Sequence, residues 1–294
     1  MRWRKVSLIG VGLLGGSLGL ALKQRALAAH VSGYVRRSST GEEALARGAV
    51  DSATTSLHDC VADADLVVLC TPLAQMQTLA SSMGEHLAPD ALITDVGSVK
   101  GSLARDLQPI FARSGHQFIG SHPMAGSEKM GVSAARGDLF VNAMCVVTPS
   151  EASPEPAIRK IEDLWSSLGA KTMRLAPDTH DEWVSRSSHL PHVVASVLAR
   201  FVLNPKFPPQ QAKLCANGFK DSTRIAASSP EMWRDIILAN REQVTQALRD
   251  YSAELHHFAQ LIESENANAI LDLLAESKKL RDGWTLQSQS SSQE

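Results

Sequence analysis

Glycine recurs at positions 10, 12 and 15 in Gly10-Val11-Gly12-Leu13-Leu14-Gly15, directly after the apolar residues 6–9 and before a stretch with helical spacing. In a strand-turn-helix of this kind the first glycine makes the tight turn, the second lets backbone approach a pyrophosphate, and the third lets helix and strand pack closely. The helix start adds free N–H groups and a positive dipole end for the phosphates. A glycine-rich turn that binds nothing would share the spacing, but the strand before it and the pattern after it favour a dinucleotide grip. Gly10, Gly12, Leu13, Leu14 and Gly15 are its contact residues.

Downstream, short apolar runs alternate with helix-like stretches up to about residue 175, the pattern of βα units in a parallel sheet. Residues 6–9, 31–35, 66–70, 92–95, 118–120 and 145–148 are the expected strands, with 172–175 as an edge strand. Residues 14–27, 41–47, 75–87, 100–114 and 154–168 are the expected helices. After Ala176-Pro177-Asp178 the strands cease and helical spacing takes over, as in 192–202 and 236–262, with Pro205, Pro208 and Pro209 marking a connection. The chain therefore reads as α/β, with a Rossmann-type N-terminal domain over 1–176, an all-α domain over 177–284 and an unstructured tail over 285–294.

With 44% hydrophobic and 20% charged residues and a net charge of -2, the 294 residues suit a globular enzyme and not a nucleic-acid binder. No apolar run approaches the roughly 20 residues of a membrane span. The N-terminus lacks a secretory pattern and the four cysteines form no CxxC pair, so a cytoplasmic protein without disulfides or metal is expected.

About 20 residues past the glycines, NAD enzymes place an acid on the ribose hydroxyls. Here the chain reads Val35-Arg36-Arg37-Ser38-Ser39-Thr40. Guanidinium groups backed by hydroxyls suit a 2′-phosphate, so NADP is expected over NAD, with Arg36, Arg37, Ser38 and Thr40 as contacts. The alternative for the two arginines is a solvated surface.

Further motifs fall where sheet strands should end: Thr71-Pro72, then Thr94-Asp95-Val96-Gly97-Ser98-Val99-Lys100, then Gly120-Ser121-His122-Pro123-Met124-Ala125-Gly126-Ser127-Glu128. His180-Asp181, Ser188-His189-Leu190-Pro191-His192 and Gly218-Phe219-Lys220-Asp221-Ser222-Thr223-Arg224 follow. Over residues 4–284 the chain resembles the prephenate/arogenate dehydrogenases of tyrosine biosynthesis, in their monofunctional two-domain form. The resemblance implies a helical dimerisation domain, hence a homodimer, and oxidative decarboxylation of prephenate or arogenate to 4-hydroxyphenylpyruvate or tyrosine.

The resemblance makes His122 the catalytic histidine, whose imidazole suits removal of a carbinol proton. Ser98 resembles the serine that meets substrate hydroxyl and imidazole, although a helix N-cap would also use a serine there. Thr71, Pro72 and Ser98 line the cofactor. Arg224 resembles the arginine that takes a substrate carboxylate, with Lys220 one helical turn earlier on the same face. Ser127 and Glu128 match positions beside the catalytic histidine, His192 a pocket histidine, and Trp233 a position near substrate or a buried anchor. His180, Asp181 and His189 are expected to order the start of the helical domain. His189 and His192 lack the third ligand a zinc site needs.

Two rival readings remain. A β-hydroxyacid or 6-phosphogluconate-type dehydrogenase shares the layout, but it relies on a lysine in the second half and lacks the motifs at 122–126 and 188–192. A non-catalytic NADP sensor would keep the glycine turn and lose His122 and Ser98. No residue decides prephenate against arogenate, and the departure from the NAD pattern leans towards the arogenate users.

Overall fold

The computed structural model describes residues 2–126 and 129–290. By packing, the chain forms two units, Met1–Arg241 and Glu242–Glu294.

In the first unit β1 (Trp3–Ile9), α1 (Leu13–Gln24), β2 (Ala28–Tyr34), α2 (Ser38–Ala46), β3 (Ser52–Thr54), α3 (Leu57–Val61), β4 (Leu66–Leu69), α4 (Leu73–Met83), β5 (Leu92–Asp95), α5 (Gly101–Arg113) and β6 (Gln117–Phe118) follow in order. The six strands form one sheet in the order β3-β2-β1-β4-β5-β6, all parallel. Successive side chains of a strand face opposite ways, so each strand feeds two cores. Leu8, Val31 and Val68 join Leu18 and Leu22 of α1 on one face, while Ile9, Val67 and Ile93 meet Met76 of α4 and Phe111 of α5 on the other. Burial on both faces explains why β4 reads as four consecutive apolar residues.

A smaller sheet follows: β7 (Gly120–Pro123) runs antiparallel to β8 (Met144–Thr148), which pairs in parallel with β9 (Lys171–Arg174). The connecting α6 (Glu155–Ser167) contributes Trp165, fully buried and edge-on to Phe140. The expected single strand over 118–120 is thus two strands in two sheets, broken at Ile119, whose N–H bonds back to Ile93. β3 and α3 escape the sequence reading because their three and five residues carry no apolar period.

The rest of this unit is helical: α7 (Pro177–Val184), a π-helical turn Ser185–His189, α8 (Leu190–Val202), α9 (Asn217–Thr223) and α10 (Pro230–Ala239). The packing boundary lies well past the expected break at 176 because α7 packs against α5 and β8, and α10 against α4. The second unit is carried by α11 (Arg241–Glu263) and α12 (Ala267–Ser290).

The helix expected over 236–262 is interrupted at Asn240, which leaves the helical backbone region with its side chain turned to Asp181 and His189. Helix α12 continues into the stretch expected to be unstructured, with Arg281 over the Trp284 ring and Thr285 bonded back to the Arg281 carbonyl. Among the described residues no helix is long and apolar enough to cross a membrane.

Candidate active site

Strands β1 and β4 are neighbours, and ligands of open parallel sheets bind beyond the C-terminal ends of strands where the order reverses. The glycine turn stands there. Gly10 has φ +101°, a conformation side chains resist, and a Cβ on Gly15 would lie 2.1 Å from the Gly10 carbonyl oxygen. Around Gly12 a Cβ would meet nothing within 4 Å, so the space above the turn is open. Leu13 and Leu14 begin α1, and Thr71 Oγ1, just past β4, is buried without a hydrogen-bond partner. An open cradle with an orphaned hydroxyl at its side fits a bound dinucleotide. Pro72 caps α4. Past the end of β2, Arg36, Arg37 and Ser38 are exposed, and Arg37 is the extended residue before α2, whose first turn holds Ser38 and Thr40.

Asp95, at the end of β5, organises the next wall. Its Oδ2 accepts the Gly97 N–H at 2.7 Å and pairs with the Lys100 ammonium, while its Oδ1 accepts the Ser121 N–H at 3.1 Å. Lys100 also donates to the Ser121 carbonyl at 2.8 Å. One buried ion pair therefore ties the loop carrying Ser98 to the strand carrying His122. Ser98 is half-buried two residues before Lys100, which precedes the first residue of α5.

His122 does not stand alone. Its Nδ1 lies 2.8 Å from His180 Nε2, and His180 Nδ1 lies 2.8 Å from Asp181 Oδ1. Asp181 accepts the backbone N–H groups of Lys100 on Oδ1 and Gly101 on Oδ2, both at 2.8 Å, at the start of α5. A carboxylate accepts only, so His180 carries its proton on Nδ1 and, when neutral, presents Nε2 as acceptor. The His122 Nδ1–H donates to it, which leaves His122 Nε2 as a lone pair. Burial holds His122 well below the ordinary histidine range, aided by His180, Lys100 and His189, and burial also lowers His180 against the pull of Asp181. Both rings are neutral bases at neutral pH.

The π-helical turn brings His189 round towards the side of His180. In an unbroken α-helix His180 and His189, nine residues apart, would lie ~180° apart around the axis, and one inserted residue reduces this to ~80°. His189 accepts a 3.2 Å hydrogen bond on Nδ1 from Asn240, whose amide also donates to the Asp181 carbonyl at 2.9 Å. Its Nε2 is buried without a partner. His192, one turn on, lies flat against Trp233, with centroids 3.5 Å and planes 11° apart. Burial lowers His189 and His192 to about 4. Among the described residues no group of histidine, cysteine and acidic side chains is arranged to hold a metal.

Lys220 on α9 and Arg224, which opens the next 3-10 turn, are exposed, and both segments pack on α8, the helix of His192. Ser127 and Glu128 lie outside the described residues.

Residues 18–174 match the family model of the prephenate dehydrogenase nucleotide-binding domain, and residues 176–276 that of the prephenate dehydrogenase dimerization domain. The chain belongs to the prephenate dehydrogenase family. The prephenate dehydrogenase of Bacillus subtilis is 35% identical over 286 residues, covering 96% of this chain and 76% of the relative. The structure of prephenate dehydrogenase from A. aeolicus, in complex with hydroxyphenyl propionate and NAD+, superposes with a TM-score of 0.90 at 32% identity, covering 96% of this chain and 99% of that one. Arogenate dehydrogenase of Synechocystis gives 0.82 at 31% identity, with 95% and 99% covered. The match of both prephenate dehydrogenase domain models sets aside the β-hydroxyacid reading.

Sequence reasoning singled out His122 as the catalytic histidine; the structure places it buried on β7, in company that the sequence reading missed. Asp95, Lys100 and Asn240 carried no role, and His180, Asp181 and His189 were expected only to order a helix start. The available signal was the adjacent His180-Asp181 pair, two titratable residues where a surface helix needs neither.

Proposed function

We propose that this chain is an NADP-dependent dehydrogenase that oxidatively decarboxylates prephenate or arogenate, working as a homodimer. The observation that carries the reading is the His122 ring, buried, neutral and bonded through Nδ1 to His180, which leaves Nε2 as a proton acceptor at the strand ends.

When bound, the nicotinamide supplies the hydride acceptor. His122 Nε2 takes the proton of the carbinol hydroxyl as the carbinol hydrogen leaves as hydride, and Ser98 orients that hydroxyl. Loss of the ring carboxyl as CO2 sends its bonding electron pair into the ring and onto the new oxygen. That oxygen recovers the proton from His122 and the ring becomes aromatic. Thus His122 holds a proton for the duration of the reaction and returns it.

Arg224 takes a substrate carboxylate, with Lys220 adding charge, and His192 stacked on Trp233 forms an apolar wall with a polar edge. Ser127 and Glu128 are assigned to substrate binding on the family motif alone. The missing acid after β2 and the exposed Arg36 and Arg37 support NADP, whereas the Aquifex aeolicus relative is held with NAD+. The two family models meet near residue 176, which supports a functional division there.

A steady-state assay of prephenate and arogenate, each with NADP and with NAD, tests the reading. Turnover of one substrate with NADP preferred is expected, and His122→Asn should lower kcat by roughly 10²- to 10⁴-fold with NADP affinity kept. An active His122→Asn enzyme would remove the central assignment.

A further inference from the structure

We infer that His180 and Asp181 are positioning residues of this site: they fix the His122 proton on Nδ1 so that Nε2 is bare for substrate, and they support the charge on the ring while it holds the substrate proton. The inference rests on the proposed reaction, in which His122 stores a proton and gives it back.

With His180 neutral, the geometry allows one direction of donation. Asp181 is committed as an acceptor on both oxygens, to the Lys100 and Gly101 N–H groups and to His180 Nδ1. The His180 proton must therefore point at Asp181, and the 2.8 Å contact on its other side must be filled by a proton from His122. The ring centroids are 5.1 Å apart and the ring planes 67° apart, so the two imidazoles touch through their nitrogens and are not stacked. Histidines 122 and 180 and Asp181 are at most 7% exposed, so water does not compete for these bonds.

When His122 Nε2 gains the substrate proton, the ring becomes an imidazolium and its Nδ1–H bond to His180 strengthens, because a charged donor makes the stronger bond. The Asp181 carboxylate stands one ring further along. No proton leaves the chain: the Nε2–H bond formed in the first half of the reaction breaks when the phenolic oxygen takes the proton back. The other charged or titratable groups facing His122 are Lys100, paired with Asp95 from β5, His189 from the π-helical turn, and Cys145 from β8. Among the described residues none of these hydrogen-bonds an imidazole nitrogen of His122, so His180 alone sets that ring's tautomer there.

A role limited to holding α7 against α5 would also bury this pair, and the two roles separate by experiment. Side-chain 15N NMR of the full chain labelled at histidine, without substrate or cofactor, reports which ring nitrogen is protonated. The expectation at pH 7.5 is Nδ1–H for both His122 and His180. A His122 proton on Nε2 overturns the inference.

Asp181 also holds the start of α5, so the kinetic test uses His180. Asparagine places its amide where Nδ1 stood, keeping Asp181 satisfied but leaving His122 without an acceptor. Glutamine reaches the place of Nε2 and offers an oxygen to His122. His180→Asn is expected to lower kcat about 10- to 100-fold with KM and NADP affinity nearly unchanged, and to shift the acid limb of kcat. His180→Gln is expected to restore most of the rate. Equal losses in both variants with the acid limb unmoved would show a structural role only. If the wild type turns over neither prephenate nor arogenate, the reaction assigned above fails while the NMR result still decides the tautomer.

Discussion

Lys100 and Asp95 form an ion pair in which neither side chain is more than 1% exposed. Burial pushes the ammonium down from its ordinary range, and Asp95 pulls it back up. Because Asp95 also accepts the Gly97 and Ser121 N–H groups, the pair is the joint between the loop that carries Ser98 and the strand that carries His122. Lys100→Met should strand a buried carboxylate and cost about 3–5 kcal/mol in urea unfolding. Adding Asp95→Asn should return part of that loss, since the two changes remove one interaction. Strict additivity of the two would show that the pair does not act as a unit.

Stability should fall as pH drops from 6.5 towards 4. His189 and His192 have folded values of about 4 against an ordinary 6.5, so in that window the unfolded chain binds more protons than the native one. Stability then rises with pH, is fully present above 6.5 and is lost through the folded values. The two rings together account for on the order of a few kcal/mol. Urea midpoints measured from pH 7.5 to 4.5 should decline, and His192→Phe, which keeps a ring against Trp233, should flatten the slope. A flat profile in the wild type would mean that these rings protonate without disturbing the fold.

The fold was legible wherever a period was long enough to carry it. The apolar runs of β1, β4 and β5 and the glycine turn between β1 and α1 specify a parallel sheet with a phosphate cradle, and both stand where expected. The site was legible only as separate motifs. The bond from His122 to His180 spans 58 residues, and the side on which His189 falls depends on a π-helical turn that no hydrophobic period announces. Asn240 was hidden for a related reason: within an amphipathic run a buried asparagine reads as a polar face position, whereas its amide is committed to Asp181 and His189. Tertiary hydrogen bonds, unlike apolar faces, leave no repeat along the chain.

Arg36 and Arg37 should decide the cofactor. Both are exposed beyond β2, where an acid would otherwise meet ribose hydroxyls. A hydrogen bond to a charged group contributes about 1.5–3 kcal/mol, so replacing both arginines with serine should raise KM for NADP by roughly 10- to 100-fold and leave KM for NAD within about threefold. Comparing kcat/KM for the two cofactors measures this directly. An unchanged ratio in the double variant would place the selectivity elsewhere.

Helix α11 carries Leu255 and Ile262, two turns apart on one face and 54% and 56% exposed, and α12 adds Leu271 and Leu274 at 65% and 52%. Each such side chain gains about 1.5–3 kcal/mol when fully buried, and the dimerization domain model covers all four positions. In a twofold dimer every contact occurs twice, so a substitution acts on both copies. Leu255→Asp with Ile262→Asp should therefore weaken self-association by about 10³-fold or more, turning a dimer into a monomer at micromolar concentration in sedimentation velocity. Circular dichroism should show the helices retained. A double variant that sediments as the wild-type dimer would mean that this face of α11 lies outside the subunit contact.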